Sequence, residues 1–177
     1  MKKLILVTVL ILISITLMAQ NKVVDKLFEK YADQEGYTSV VITKHMFNLF
    51  SNIETEEDDE YMNMIKNLKN IRILSGPDIA DAEVNFYDEI ISKLPEKEYE
   101  ELMVIHDSGQ DTKFLIKEEN DIVSELLMVV GGRGDNILIS ITGNIDLKTV
   151  SKLSKSMGIE GMENLDNIEK EKNNEKD

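Results

Sequence analysis

The chain has 177 residues, 34 acidic against 20 basic side chains, a formal net charge of −14 and no cysteine. That balance repels phosphate backbones and anionic lipid, which argues against nucleic acid as a partner. Without cysteine there can be no disulfide staple, no lipidated N-terminal cysteine and no thiolate metal site, so stability has to come from packing.

Residues 1–19, MKKLILVTVLILISITLMA, have the layout of a secretory signal peptide. Lys2 and Lys3 form the charged start, Leu4 to Ile13 the apolar core, and Ala19 the small residue before a cut at Gln20. The apolar stretch to Met18 carries Thr8, Ser14 and Thr16 and falls short of the about 20 apolar residues that span a bilayer. The expectation is therefore an exported chain, periplasmic or secreted, with no permanent membrane anchor after cleavage. The remaining chain, about 158 residues, suits one domain with a real core.

In chain order, Val23 to Asp33 reads as an amphipathic helix, with Val23, Val24, Leu27, Phe28 and Tyr31 on one stripe and Gly36 beyond its end. Tyr37 to Ile42 is β-branched and predicts a strand; Thr43 to Phe50 predicts a helix. Glu54 to Glu60, interrupted only by Thr55, is an acidic run leading into a helix with Tyr61, Met64, Ile65 and Leu68. Its carboxylates could gather Ca²⁺, but it has neither the glycine nor the spaced ladder of an EF-hand and reads as a solvated loop. Asn70 to Leu74 predicts a strand. Asp78 then caps a helix with Ile79, Ala82, Phe86, Ile90 and Leu94 in register, stopped by Pro95.

Beyond Pro95 the period changes to two. Tyr99 to His106, Thr112 to Lys117, Ile122 to Val130 and Asn136 to Thr142 predict four strands joined by short turns, hence antiparallel neighbours. The third is apolar on both faces and belongs near the middle of the sheet. Gly143 and Asp146 introduce a helix with Leu147, Val150, Leu153 and Met157. Residues 169–177 are charged and predict a disordered tail. The fold class expected is α+β: a single domain over 20–168, with a mixed or mostly antiparallel sheet of about six strands. Four of these form a C-terminal meander, and helices back the sheet.

The residues that could carry chemistry are few. His45 lies in a helix beside Met46 and Phe47, and His106 ends a strand beside Asp107. A hydrolase would need a cleft joining one of them to Glu100, Glu101 or Asp107. Neighbouring residues on a strand point to opposite faces, which separates His106 from Asp107. Gly131-Gly132-Arg133-Gly134-Asp135 lacks the helix and the Lys-Ser/Thr of a phosphate loop, and as an Arg-Gly-Asp tripeptide it carries little specificity. It reads as a hairpin whose glycines supply positive φ. No catalytic, cofactor-binding or metal-ligating residue is assigned, and no cofactor is expected. The two faces of the sheet differ, and a mixed one, with Lys113, Leu115 and Lys117 or Leu138, Ser140 and Thr142, could stay wet or receive a partner. Edge-strand pairing is a further route, although the pattern does not identify the edges.

These segments resemble a bacterial exported family known as domain of unknown function 4252. The resemblance rests on Gly36-Tyr37-Thr38-Ser39-Val40 with Lys44 and Met46-Phe47, on Ile71-Arg72-Ile73-Leu74, on Tyr99 to Met103 and on Phe114-Leu115-Ile116. Its most specific stretch runs from Glu125-Leu126-Leu127 through Gly131-Gly132 to Leu138-Ile139-Ser140-Ile141-Thr142-Gly143-Asn144-Ile145-Asp146-Leu147, continuing into Ser151 to Ser154. It covers about Val23 to Leu165 and implies export and a single domain, with no activity or site residue to carry over. Some similar proteins have a lipobox cysteine, which this chain lacks. The function expected is a non-catalytic envelope domain that binds a protein or peptide partner. The alternatives are an apolar-ligand (lipid) binding protein and a hydrolase using His45 or His106.

Overall fold

The computed structural model describes residues 22–50, 65–77, 84–120 and 122–147. The elements follow in the order α1 (Lys22–Tyr31), β1 (Thr38–Thr43), α2 (Lys44–Phe50), β2 (Leu68–Gly76), α3 (Phe86–Ile91), β3 (Glu100–Asp107), β4 (Gln110–Glu119), β5 (Ile122–Gly132) and β6 (Asn136–Ile145). The six strands form one sheet in the order β1-β2-β6-β5-β4-β3, and every neighbouring pair is antiparallel. This is the α+β domain with a C-terminal meander that the change of period predicts. Ser108 and Gly109, both at positive φ, make the two-residue turn between β3 and β4. That backbone matches the twist of the flanking strands.

The sheet buries apolar side chains on both sides. On the upper face Leu74, Leu115, Leu127, Val129 and Leu138 pack against Val24, Leu27, Phe28 and Tyr31 of α1 and Phe86 and Ile90 of α3. On the lower face Ile71, Phe114, Ile116, Leu126, Met128, Val130, Ile139 and Ile141 pack with Phe47 of α2 and with Ile65, Leu68, Ile145 and Leu147. Strands β5 and β6 contribute to both clusters, in keeping with their central place and with the apolar run of β5 from Leu126 to Val130.

Three expectations are corrected. The helix expected from Asp78 to Leu94 is not continuous: Asn85 is extended and caps a helix that begins at Phe86, its Oδ1 accepting from the Tyr87 N–H at 2.9 Å. Helical spacing of Phe86 and Ile90 is satisfied by this short helix alone, and residues 78–83 lie outside the described part. Leu68 opens β2 rather than ending a helix. Gly143 lies inside β6 instead of introducing a helix, at φ +151 opposite the irregularity between Leu68 and Asn70. A Cβ there would lie 2.5 Å from the Asn67 carbonyl oxygen, so the glycine permits the close approach of the bulge. Residues 1–21, including the proposed leader, the acidic run 54–60 and the segment from 148 to the C-terminus lie outside the described residues.

One buried amide fastens α3 to the sheet. Asn136, fully buried at the start of β6, accepts from the Phe86 N–H and donates to the Val84 carbonyl, both at 2.9 Å. Beside it Gly131 leaves the space that α3 occupies, for a Cβ there would sit 2.3 Å from Asn85 Oδ1. Replacing Asn136 with alanine leaves a buried donor and acceptor unpaired, so a loss of about 2–4 kcal/mol is expected. In urea unfolding the variant's midpoint should fall with the slope unchanged.

Candidate functional site

The sheet has two edges of opposite character. β3 carries Glu100, Glu101, His106 and Asp107 and a register irregularity between Glu101 and Met103. Charges and bulges of this kind keep an edge from pairing with foreign strands. β1, with the sequence TSVVIT, has no charge, no proline and a regular register against β2. Among the described residues β2 is its only sheet neighbour, so its outer row of backbone groups faces outward.

The side chains around β1 reinforce this difference. Val40 is 41% and Val41 56% exposed, on opposite faces of the strand, and α2 adds Met46 at 44% and Leu49 at 53%. α2 packs on β1 and β2 through Phe47, which turns Met46 and Leu49 away from the core. Four of the five large apolar side chains most exposed among the described residues thus lie within ten positions of one another. Single exposed apolar residues need no explanation; here they stand on both faces of an uncharged edge strand and on the short helix that follows it.

A second feature sits on the upper face, at the end away from α3. The strand registers align Asn70 of β2, Thr142 of β6, Glu125 of β5 and Lys117 of β4 in one row across four strands. Irregularities at Leu68/Asn70, Val123/Glu125 and Lys117/Glu118 break the register beside three of the four. Glu125 is only 2% exposed. Its carboxyl accepts from the Tyr99 hydroxyl at 2.7 Å and the Ser140 hydroxyl at 3.2 Å. Burial, with the adjacent Glu125 charge, holds the Tyr99 phenol well above the ordinary tyrosine range.

One position along the sheet, Arg72 donates to Asp25 of α1 at 2.7 Å and lies over the Phe28 ring, 4.9 Å from its centroid. Lys117 pairs with Glu98 at 2.9 Å and Glu119 at 3.6 Å, and the Glu98 contact raises its pKa. Asp25, Arg72, Glu119, Lys69 and Ser124 join the row residues in lining an open cleft of about 320 Å³.

The residues singled out for chemistry in the sequence are scattered. His45 is exposed on α2, beside β1. His106 lies on β3, at the other edge, about 24 Å away if five strand spacings of about 4.8 Å are counted. His106 contacts Asp111 across the hairpin at 2.5 Å instead of Asp107, whose carboxylate accepts from Ser108. Glu101 pairs with Lys113 at 2.8 Å. The polar cleft is lined by no histidine. Gly132 and Gly134 have φ of +106 and +101 around Arg133, the backbone of a tight turn. Among the described residues no cluster of histidine and carboxylate side chains could hold a metal ion, and no described helix is long and apolar enough to cross a membrane.

The expected mixed face does exist: Leu138 and Ser140 share the upper face with Leu115 and Lys117. It is, however, the face that α1 and α3 cover, and among the described residues its far end is left open. The sequence reading missed Glu125, Asn70 and Arg72. The available signal was a glutamate within a strand otherwise expected to be central and apolar.

The chain belongs to the DUF4252 family, described as a domain of unknown function, whose sequence model matches residues 31–153. No curated protein and no solved structure matches the chain.

Two measurements check the Tyr99–Glu125 pair. Tyr99→Phe removes a donor from a buried carboxyl and should cost about 1.5–3 kcal/mol in urea unfolding at neutral pH. Because the folded-state pKa is raised, the unfolded phenol ionises first. The stability from the neutral phenol is complete below about pH 10 and is lost as pH climbs further. The wild-type protein should therefore lose stability above that pH more steeply than Tyr99→Phe.

Proposed function

We propose that this protein is an exported, non-catalytic binding domain that receives an extended segment of a partner protein along β1. The observation that carries the reading is the contrast between the two sheet edges: β3 is guarded by charge and a bulge, and β1 is uncharged, regular and flanked by exposed apolar side chains. Main-chain hydrogen bonds along such an edge supply affinity, and alternate side chains, here meeting Val40 and Val41, supply selectivity. With a net charge of −14, the chain favours a partner segment flanked by basic residues over a second copy of itself.

Export rests on the sequence of residues 1–19, with cleavage between Ala19 and Gln20. Intact-mass measurement of protein recovered from fractionated cells tests it: a chain starting at Gln20 outside the cytoplasm is expected, and a full-length cytoplasmic chain would contradict it.

The docking edge is tested by placing a photo-crosslinking amino acid at Val41 in the producing cell, with Ile122, an exposed residue on another strand, as the control. A discrete crosslinked species is expected from position 41 and not from 122. Val40→Lys with Val41→Lys, changes at exposed sites that should alter stability by no more than about 0.5 kcal/mol each, should abolish the species when the crosslinker is at Leu49. Recovery of monomer alone at native abundance would count against the reading.

A further inference from the structure

We infer that the partner strand received at β1 is two-faced, with apolar side chains on the side of α2 alternating with lysine or arginine on the side of α1. The inference rests on the reading of β1 as a docking edge and adds the chemistry of the segment that fits it.

A strand paired with β1 places its side chains alternately above and below the sheet, each beside the β1 residue opposite it. The two sides differ. Val40 and Ile42 point to the lower face: they stand opposite Ile73 and Ile71 of β2, and Ile42, Ile71 and Ile73 all belong to the lower cluster. α2 packs on that side through Phe47 and brings the exposed Met46 and Leu49 to it. The ladder positions of this face hold no charge, so an apolar side chain fits beside them and a charged one would be desolvated without a partner.

On the upper face Ser39, Val41 and Thr43 stand opposite Leu74, Arg72 and Asn70. α1 is tied to this side at two points. Asp25 accepts from Arg72, the residue opposite Val41, at 2.7 Å, and the Ala32 carbonyl accepts from the Ser39 hydroxyl at 3.2 Å. The Ala32 N–H continues the helical ladder to Phe28 at 3.0 Å, so Asp25, Glu29 and Ala32 follow one flank at helical spacing. Glu29 thus sits between the two contacts, on the flank turned toward Ser39 and Val41. It is exposed and makes no ion pair among the described residues. Lys26 and Lys30 follow the opposite flank with Val23, and Lys30 lies over the Tyr31 ring, 4.6 Å from its centroid. Lys22 opens the helix two turns before Glu29, beyond Asp25.

The charges of the described residues also differ along the strand. The turn ahead of Thr38 carries Asp33 and Glu35, both exposed. Asp25 and Arg72 offset each other. At the other end stand Lys44 and His45, which open α2, with Lys66 and Lys69 ahead of the Asn70 that pairs with Thr43. The half from Thr38 to Val41 therefore faces acids, and the Thr43 end faces cations. A basic side chain opposite Val41 suits that first half twice over. Its methylene stem covers a valine that is 56% exposed, and its head group is brought toward Glu29. The same side chain opposite Thr43 would meet like charge. A second copy of β1, TSVVIT, offers no base and leaves Glu29 unanswered.

The probes are four blocked heptapeptides: valine alternating with lysine, with glutamate or with serine, and serine alternating with lysine. Each is titrated into isotope-labelled protein purified from the producing cell, and amide shifts are followed by NMR. Saturable shifts along Thr38–Thr43 are expected with the valine–lysine peptide, at an affinity about fivefold above that of the valine–glutamate and serine–lysine peptides. The preference over glutamate should shrink as salt is raised. Glu29→Lys, a change at an exposed site, should reverse the order of the lysine and glutamate peptides and leave the valine–serine peptide unaffected. If the valine–glutamate or serine–lysine peptide binds β1 as well as the valine–lysine one, or Glu29→Lys leaves the order as it was, the inference is overturned while β1 remains a docking edge. If no peptide shifts β1, or if its shifts appear with protein concentration alone, the docking reading itself fails and the inference with it.

Discussion

Strands β5 and β6 bury side chains on both faces, with Leu126, Met128, Ile139 and Ile141 below and Leu127, Val129 and Leu138 above. A central pair of this kind is satisfied only if each face is covered, and the three helices among the described residues are divided between the two. α1 and α3 take the upper face, and α2 closes on the lower face beside β1. Each is short: ten residues in α1, seven in α2 and six in α3. Their stability comes from the sheet they cover, since isolated helices of such length are marginal in water.

Short covers leave margins, and the two candidate sites lie in these margins. On the upper face the apolar rows end where α1 ends its reach, and the next row is Asn70, Thr142, Glu125 and Lys117. Among the described residues β1 is the least covered strand, with Val40 and Val41 exposed on its two faces. The guarded edge at β3 shows that the same chain provides charge and a bulge where an edge is to stay unpaired. Asn136 and Gly131 serve the covered part by holding α3 in place. Tyr99 and Ser140 serve the polar row, since Glu125 at that depth needs both donors.

The sequence made much of the sheet legible. The switch to period two after Pro95, with turns as short as Ser108-Gly109, specified the meander, and the two-sided apolar pattern of β5 specified its central place. Helical spacing was a poorer guide at Phe86 and Ile90, since two residues four apart cannot report that the chain is extended at Asn85. Gly143 was ambiguous because glycine marks both helix entrances and bulges. The polar row was hidden for a different reason. Its four members come from four strands, and only the register aligns them. Edge identity was likewise a property of strand order, although the uncharged TSVVIT of β1 against the charged ends of β3 was visible once the edges were known. No pattern joined His45 to His106, and the fold places them at opposite edges.

The account stands most directly on β1 having an outer row of backbone groups open to a partner strand. Residue-resolved amide hydrogen exchange on the isolated protein measures this without knowledge of any partner. In an antiparallel edge strand, amides facing the neighbour are protected and those between them are not. Alternating slow and fast exchange from Thr38 to Thr43 is the predicted result, against uniform protection through β5 and β6. Protection of all the β1 amides in the isolated chain would show the edge already covered and would contradict the account.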